Sequence, residues 1–287
     1  MGATDSKAYY VDTVGYKTHL QEMGQGPALL LLHGSGPGVT AAANWQGVAP
    51  SLAQHFRVLM PDLMGFGQTQ EPASTTYRFM DSWVAQIGAL LDALGLKSVC
   101  IVGNSFGGAV ALALASQRPD LVSKLVLMGA VGIKFKITEA LDTIWGYKPS
   151  VQAMRQLLDL MSYDRSRISD QLAEQRYQAS LAAGVQSRYE RLFPEPRQHC
   201  LDQIAQPPEN LKALRQPTLL IHGEDDRVIP LEVSRELHRL IPNSELQVLA
   251  HCGHWTQIEQ ANRFIDLVLR FAAEPPTTQV KTVPNNI

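Results

Sequence analysis

The 287-residue sequence is short of cysteine, of net charge and of long apolar runs, and each shortage removes a class of protein. Its three cysteines, Cys100, Cys200 and Cys252, include no CxxC pair and no zinc-ligand spacing. An odd number of scattered thiols argues against a disulfide scaffold and fits a reducing cytoplasm; Cys252 reads as a small buried filler. The formal net charge of -2 gives no electrostatic reason to bind nucleic acid or an anionic membrane. The apolar run PALLLLHG at 27–34 is far shorter than the about 20 residues that cross a bilayer. The opening residues lack the charged, apolar and cleavable pattern of a secretory signal. There is no internal repeat and no low-complexity tract. The Gly-rich stretch HGSGPG at 33–38 has neither a following Lys-Ser/Thr nor a GxGxxG pattern, which argues against a nucleotide site.

Hydrophobic residues make up 45% of the chain, enough for a substantial core. Six continuous apolar runs, at 27–34, 57–62, 98–104, 124–130, 217–223 and 245–250, read as strands covered on both faces. Helical patterns lie between them, at about 78–95, 107–117, 231–241 and 259–272. That alternation predicts an α/β fold with a mostly parallel, doubly wound sheet. The alternating segment 8–24 predicts an antiparallel hairpin at the sheet edge. Residues 133–212 contain no convincing strand and read as a helical lid inserted into a core formed by 1–132 and 213–274. Residues 275–287 read as a flexible tail.

The chemistry centres on Gly103-Asn104-Ser105-Phe106-Gly107, where a strand runs into a helix. A Gly-x-Ser-x-Gly at that junction is a nucleophile elbow, in which small neighbours let a strained serine project above the sheet. The N–H of Phe106 then sits at a helix N-terminus, ready to hold an oxyanion. A serine needs a base, and a histidine base needs a carboxylate. His254 lies in a loop between the last strand and the last helix; His251 reads as a structural residue at the strand end. Among Glu224, Asp225 and Asp226, the spacing from Gly223 to Pro230 favours Asp226, with Asp225 as rival. The order Ser105, Asp226, His254 is that of an α/β-hydrolase triad. The N–H of Ser35, shaped by Gly34 and Gly36, is the candidate second oxyanion donor.

Together these motifs resemble the α/β-hydrolase superfamily along nearly the whole chain. More narrowly, HGSGPG (33–38), Asn44-Trp45, GNSFGG (103–108), LMGAVG (127–132), RYQAS (176–180), RLFPEPRQ (191–198) and CGHWTQIEQ (252–260) resemble the meta-cleavage product hydrolases. The lid phrases are most similar to the branch acting on monocyclic-aromatic products, the 2-hydroxymuconic semialdehyde and 2-hydroxy-6-oxohepta-2,4-dienoate hydrolases. The resemblance implies an eight-stranded sheet with a helical lid and a serine-dependent hydrolase that splits a carbon–carbon bond. The substrate it implies is a small 2-hydroxy-6-oxo-2,4-dienoate, ketonised before Ser105 attacks its C6 carbonyl. Arg176, with Arg188 ranked lower, would hold the substrate carboxylate. Asn44, Asn104 and Trp255 would contact the dienoate, and Phe106 would add its ring to the wall. Ile137, Leu141, Trp145 and Val228 are the expected lining of the acyl side. No cofactor and no metal are implied, and a homodimer formed through the sheet edge or last helices is. The rival readings are a general carboxylesterase with a lid and a non-catalytic small-ligand receptor; serine at 105 disfavours a dehalogenase.

Overall fold

The inner parallel strands form where the sequence is largely apolar, whereas Ser6–Thr13, Tyr16–Met23 and Ser244–Leu249 are mixed in polarity. The computed structural model describes residues 6–71, 77 and 79–273; the expected tail at 275–287 lies outside them. The strands are β1 (Ser6–Thr13), β2 (Tyr16–Met23), β3 (Ala28–Leu32), β4 (Arg57–Pro61), β5 (Val99–Asn104), β6 (Val122–Met128), β7 (Thr218–Gly223) and β8 (Ser244–Leu249). They make one 8-stranded sheet in the order β1-β2-β4-β3-β5-β6-β7-β8. From β4 to β8 all neighbours are parallel. The β1–β2 hairpin is antiparallel and joins β4 antiparallel at one edge.

The apolar runs are continuous because the sheet has a core on each face. In β3, Leu30 and Leu32 enter one core, while Leu29 and Leu31 enter the other. The helix Phe106–Gln117 is buried from Phe106 through Ala115, so its sequence is apolar all round rather than amphipathic. The final helix covers the opposite face and buries Phe264 and Val268. The single helix expected over 259–272 is two, Thr256–Glu259 and Ala261–Ala273, because Gln260 leaves helical geometry at φ -125° and ψ 43°. The helix expected from 78 starts at Asp81; residue 78 is outside the described residues.

Between β6 and β7 lie only helices, as the pattern predicts: Glu139–Trp145, Val151–Met161, Asp170–Ser180, Val185–Leu192, Arg197–Ile204 and Pro208–Ala213. Three of them start where a hydroxyl caps the first turn. Thr138, Ser150 and Ser169 accept from the N–H groups of Leu141, Ala153 and Leu172, satisfying donors that the helix leaves free.

The tightest packing is where β5 becomes a helix. A Cβ on Gly103 would lie 2.6 Å from the Gly107 carbonyl oxygen, and one on Gly108 2.5 Å from Ala130 Cβ. A Cβ on Gly107 would run into the carbonyl oxygens of Leu32 and His33. Gly107→Ala is therefore expected to lower the unfolding free energy by about 3 kcal/mol, at the upper end of overpacking costs. Gly47→Ala, where a new Cβ meets nothing within 4 Å, should stay within about 0.5 kcal/mol of the parent. Urea denaturation of both variants checks the contrast.

Candidate active site

Ser105 sits between β5 and its helix at φ 52° and ψ -113°, a left-handed conformation that a side chain tolerates only when its surroundings enforce it. Here they do. Its N–H donates to the Met128 carbonyl at 2.9 Å, and its carbonyl accepts from Gly108 at 3.0 Å and Val131 at 3.3 Å. The Phe106 N–H opens the buried helix, as expected, but the Phe106 ring is packed against Trp83, Phe66 and Phe193 rather than lining the cavity at Ser105.

Asp226 follows β7 and His254 follows β8. His254 Nδ1 lies 2.7 Å from Asp226 Oδ2. An ionised carboxylate only accepts, so Nδ1 carries the proton and Nε2 is left as the basic nitrogen. The other carboxylate oxygen accepts from the N–H groups of Val228 at 2.8 Å and Ile229 at 2.9 Å. Burial alone pushes the Asp226 carboxyl pKa up. The attraction and hydrogen bond of His254, the field of His222 and the backbone donor at Ile229 outweigh it, and the net shift is downward. Asp225 is exposed and offers its backbone N–H to the Cys252 carbonyl, so it is not the partner. His251 is exposed too and meets the Tyr163 hydroxyl at 3.1 Å. Cys252 is fully buried and its thiol pKa is pushed up to about 12 by that burial, which fits a filler.

Several residues around this pair carry no motif. His222 is fully buried, 3.5 Å from Asp226 Oδ2, with its other nitrogen 2.7 Å from Ser234 Oγ. Gly129 has φ 50°, and a Cβ there would stand 3.1 Å from His254 Nδ1 and 3.2 Å from Asp226 Oδ2. Glu259 and Arg227 tie the triad loops to the lid. Glu259 accepts from the N–H groups of Gly253 at 2.9 Å and Tyr163 at 2.7 Å. Arg227 donates to the carbonyls of Asp159 and Ser162. The His254 N–H itself donates to the Met161 carbonyl at 2.8 Å. The bonds of Glu259 to Tyr163, of Arg227 and of the His254 N–H join segments far apart in sequence, so no local pattern announces them; His222 is only four residues from Asp226 and Gly253 six from Glu259.

On the other side, the loop after β3 is held by His33. Its Nε2 accepts from the Leu63 N–H at 3.0 Å and its Nδ1 meets the Gly34 carbonyl at 2.8 Å. That pattern needs a neutral ring, and complete burial lowers the pKa accordingly. Ser35 Oγ accepts from the Trp145 indole at 2.9 Å, so this loop is also fastened to the lid.

These pieces enclose a cavity of about 40 Å³ lined by Gly34, Ser35, Gly36, Asn44, Asn104, Ser105, Arg176, His254 and Trp255, with Met154, Leu157, Leu158 and Met161 from the lid. Of the triad, oxyanion and first-ranked substrate-binding candidates, all but Phe106 and Asp226 therefore line this cavity. Among the described residues Ser105 Oγ has no hydrogen bond to His254; such contacts commonly tighten only with substrate in place. The Asn44 amide nitrogen is buried without an acceptor, and the Asn104 amide donates weakly to Met128 at 3.4 Å. Arg176 has no ion pair or hydrogen bond among the described residues, and burial pulls its pKa down. Arg188 is not in this wall and instead lies in the field of Glu71. Ile137, Leu141, Trp145 and Val228 are absent from this lining as well; the Trp145 ring stacks on Phe193 at 4.5 Å.

His33 and His222 both have pKa values lowered by burial, and that of Asp226 is lowered on balance. Below the ordinary histidine pKa of about 6.5 the unfolded chain takes up protons that the folded chain refuses, so stability falls as pH drops. A further loss begins below the ordinary carboxylate value of about 4, as pH moves toward the lowered pKa of Asp226. His222→Gln is expected to flatten the slope between about pH 6.5 and 5, and Asp226→Asn the slope below about 4. Urea midpoints measured across that range test both; an unchanged slope in either variant contradicts its assignment.

The alpha/beta hydrolase fold family matches residues 27–261. The chain is 51% identical over 259 residues to the 2-hydroxy-6-oxo-2,4-heptadienoate hydrolase of Pseudomonas putida F1, covering 90% of this chain and 94% of that one. It is 48% identical over 260 residues to the 2-hydroxymuconate semialdehyde hydrolase of Pseudomonas sp. CF600, covering 91% and 92%. A serine-to-alanine mutant of the meta-cleavage product hydrolase from Pseudomonas fluorescens IP01, complexed with acetates, superimposes with a TM-score of 0.90 at 46% identity, covering 92% of this chain and 96% of that one. The sheet order, the elbow and these likenesses agree, and the chain belongs to the α/β-hydrolase fold family, among its meta-cleavage product hydrolases.

Proposed function

We propose that Ser105, His254 and Asp226 form the triad of a hydrolase that cleaves the C5–C6 bond of 2-hydroxy-6-oxo-2,4-dienoates. The observation that carries this reading is Arg176: a guanidinium without an anionic partner among the described residues, in the same cavity as Ser105 and His254. A general esterase has no use for a desolvated cation there, whereas a dienoate brings a carboxylate to it.

Arg176 and the Asn44 amide take the carboxylate end, and Asn104, Trp255 and the Gly34–Gly36 loop orient the chain. His254 moves a proton from the 2-hydroxyl to C5, giving the keto tautomer. Ser105 then gives its proton to His254 Nε2 and adds to the C6 carbonyl, whose oxyanion rests on the N–H groups of Ser35 and Phe106. Collapse breaks the C5–C6 bond; its electron pair passes through the conjugated chain onto the 2-oxo oxygen, which takes the proton back from His254. The products of this step are a 2-hydroxydienoate and an acyl group on Ser105, which water releases as a carboxylic acid. Asp226 holds the imidazole tautomer and supports its charge.

Residues 133–212 act as the lid over a core of 1–132 and 213–274. We place the protein in the cytoplasm as a homodimer. No helix among the described residues is long and apolar enough to cross a membrane. Strand β8 leaves one backbone edge without a partner strand among the described residues, and such edges invite pairing. Light scattering on the purified protein should give the mass of two chains.

Loss of dienolate absorbance is the direct assay, with hydrogen, methyl or phenyl at C6. Ser105→Ala should lower kcat by at least about 10³-fold. Arg176→Gln should lower kcat/KM for dienoates by about 10²-fold and act far less on p-nitrophenyl acetate. Ester hydrolysis by wild type without dienoate turnover would transfer the assignment to a carboxylesterase.

A further inference from the structure

The two N–H groups assigned to the oxyanion belong to Ser35 and Phe106, on different loops of the sheet edge. Among the described residues the Ser35 N–H has no acceptor, as an oxyanion donor requires. It belongs to the same trans, planar peptide unit as the Gly34 carbonyl, so holding one end of that unit aims the other. His33 Nδ1 holds the carbonyl end at 2.8 Å. The Ser35 end is held from the lid, where the Trp145 indole N–H donates to Ser35 Oγ at 2.9 Å. An indole has one donor and no acceptor, so this bond uses all of its polar capacity.

Trp145 is buried and absent from the lining of the cavity at Ser105, so it acts on the site only through what it holds. Its own position is tightly defined. The indole stacks on Phe193 with centroids 4.5 Å apart and planes 11° apart. Phe193 meets the Phe106 ring at 6.3 Å and 88°, and the Tyr189 ring at 5.2 Å and 65°. The Tyr189 hydroxyl donates to the Ile144 carbonyl at 2.9 Å, which ties the helix Val185–Leu192 to the helix Glu139–Trp145. One stacked pair of rings between β6 and β7 therefore reaches both oxyanion residues, Ser35 through a hydrogen bond and Phe106 through ring contact.

We propose that Trp145 is a positioning residue for the oxyanion hole: its indole N–H fixes Ser35, and its stack on Phe193 sets that fix relative to Phe106. The core supplies both donors, and the lid sets their spacing without touching the substrate. The inference rests on the triad and oxyanion reading above. A brace of this kind matters when the carbonyl oxygen becomes an oxyanion and matters little to the bound ground state. It therefore serves every substrate that passes through a tetrahedral intermediate, ester or dienoate, whereas Arg176 serves only the dienoate.

The test measures kcat and KM for 2-hydroxy-6-oxohepta-2,4-dienoate and for p-nitrophenyl acetate in wild type, Ser35→Ala, Trp145→Phe and the double variant. Ser35→Ala keeps the backbone N–H and loses only the acceptor; Trp145→Phe keeps a ring for Phe193 and loses the donor. Deleting an oxyanion donor costs about 10²–10³ in kcat, and loosening one costs less. Each single variant should therefore lose about tenfold in kcat on both substrates, with KM within about twofold. The double variant should lose no more than the larger single loss, because both changes break the same bond. Losses that multiply in the double variant, a change in KM at constant kcat, a fall confined to the dienoate, or unchanged kinetics in Ser35→Ala each overturn the brace. Ser35→Ala leaves the buried rings in place and decides the question alone should Trp145→Phe fail to fold. Turnover of both substrates that survives Ser105→Ala overturns the triad reading beneath it instead.

Discussion

The site depends on one steric constraint: between β5 and the helix after it there is no room for a Cβ at Gly103, Gly107 or Gly108. That closeness lets the helix start directly against β3 and β6, and it forces Ser105 into a left-handed conformation that costs about 1–3 kcal/mol in isolation. The hydrogen bonds of Ser105 to Met128, Gly108 and Val131 offset it. Because β3, β5, β6, β7 and β8 all run parallel, their C-terminal ends share one edge. The oxyanion loop, Ser105, Gly129, Asp226 and His254 each follow one of those strands. A single sheet edge thus gathers groups spread over some two hundred positions, as open parallel sheets do for their ligands.

Electrostatics then fixes what the edge can do. A carboxylate buried as deeply as Asp226 survives only because backbone donors satisfy one oxygen and His254 the other. His222 packs beneath as a neutral ring, so the pair has a defined orientation without a competing charge. Gly129 supplies the space in which the two side chains meet. The helical segment between β6 and β7 is bonded to this assembly through Glu259, Arg227 and the His254 N–H, among other contacts. A shift of the helix Val151–Met161 would therefore be felt at the imidazole as well as in the pocket wall.

How much was legible in advance follows from how local each signal is. The strands at 27–34, 57–62, 98–104, 124–130 and 217–223 declare themselves because burial on both faces makes them nearly uninterrupted apolar runs; the run at 245–250 was expected to be covered on both faces too, but β8 is an edge strand with Glu245 exposed and Leu246, Gln247 and Val248 half-buried. Ser105 is readable because steric demand places its glycines within two residues of it. Asp226 prevails over Asp225 because its carboxylate is positioned to accept from the N–H groups two and three residues on, a local turn that the spacing to Pro230 reflects. Gly129, Arg227 and Glu259 were not legible, since each meets partners distant in the chain, and His222 was not because its position in a buried strand marks no role, although its partners Asp226 and Ser234 lie four and twelve residues on. The lid was readable as helices but not as a surface: Met154, Leu157, Leu158 and Met161 line the cavity, whereas Ile137, Leu141, Trp145 and Val228 do not. Amphipathic periodicity says which face is buried and not whether it meets core or cavity. The Phe106 ring illustrates the same limit, as an aromatic side chain that sequence places at the wall and packing draws into a cluster of four rings.

In the proposed reaction, the choice between cleaving esters and cleaving carbon–carbon bonds turns on Arg176 rather than on the triad. A serine, a histidine and a carboxylate serve either reaction equally, because both pass through a tetrahedral oxyanion. What differs is the leaving group. An alkoxide leaves unaided, but a carbanion leaves only if its electrons are delocalised, here into a keto acid whose carboxylate must be kept in register with the serine. A partly buried guanidinium without a protein anion among the described residues loses stabilisation in the free enzyme, and a bound carboxylate would restore it. The same interaction that selects the substrate also fixes the distance from its carboxylate to its C6 carbonyl. On that proposal, specificity and bond alignment are one property of one side chain, and the helix Asp170–Ser180 that carries Arg176 is as much a part of the reaction as the sheet that carries Ser105.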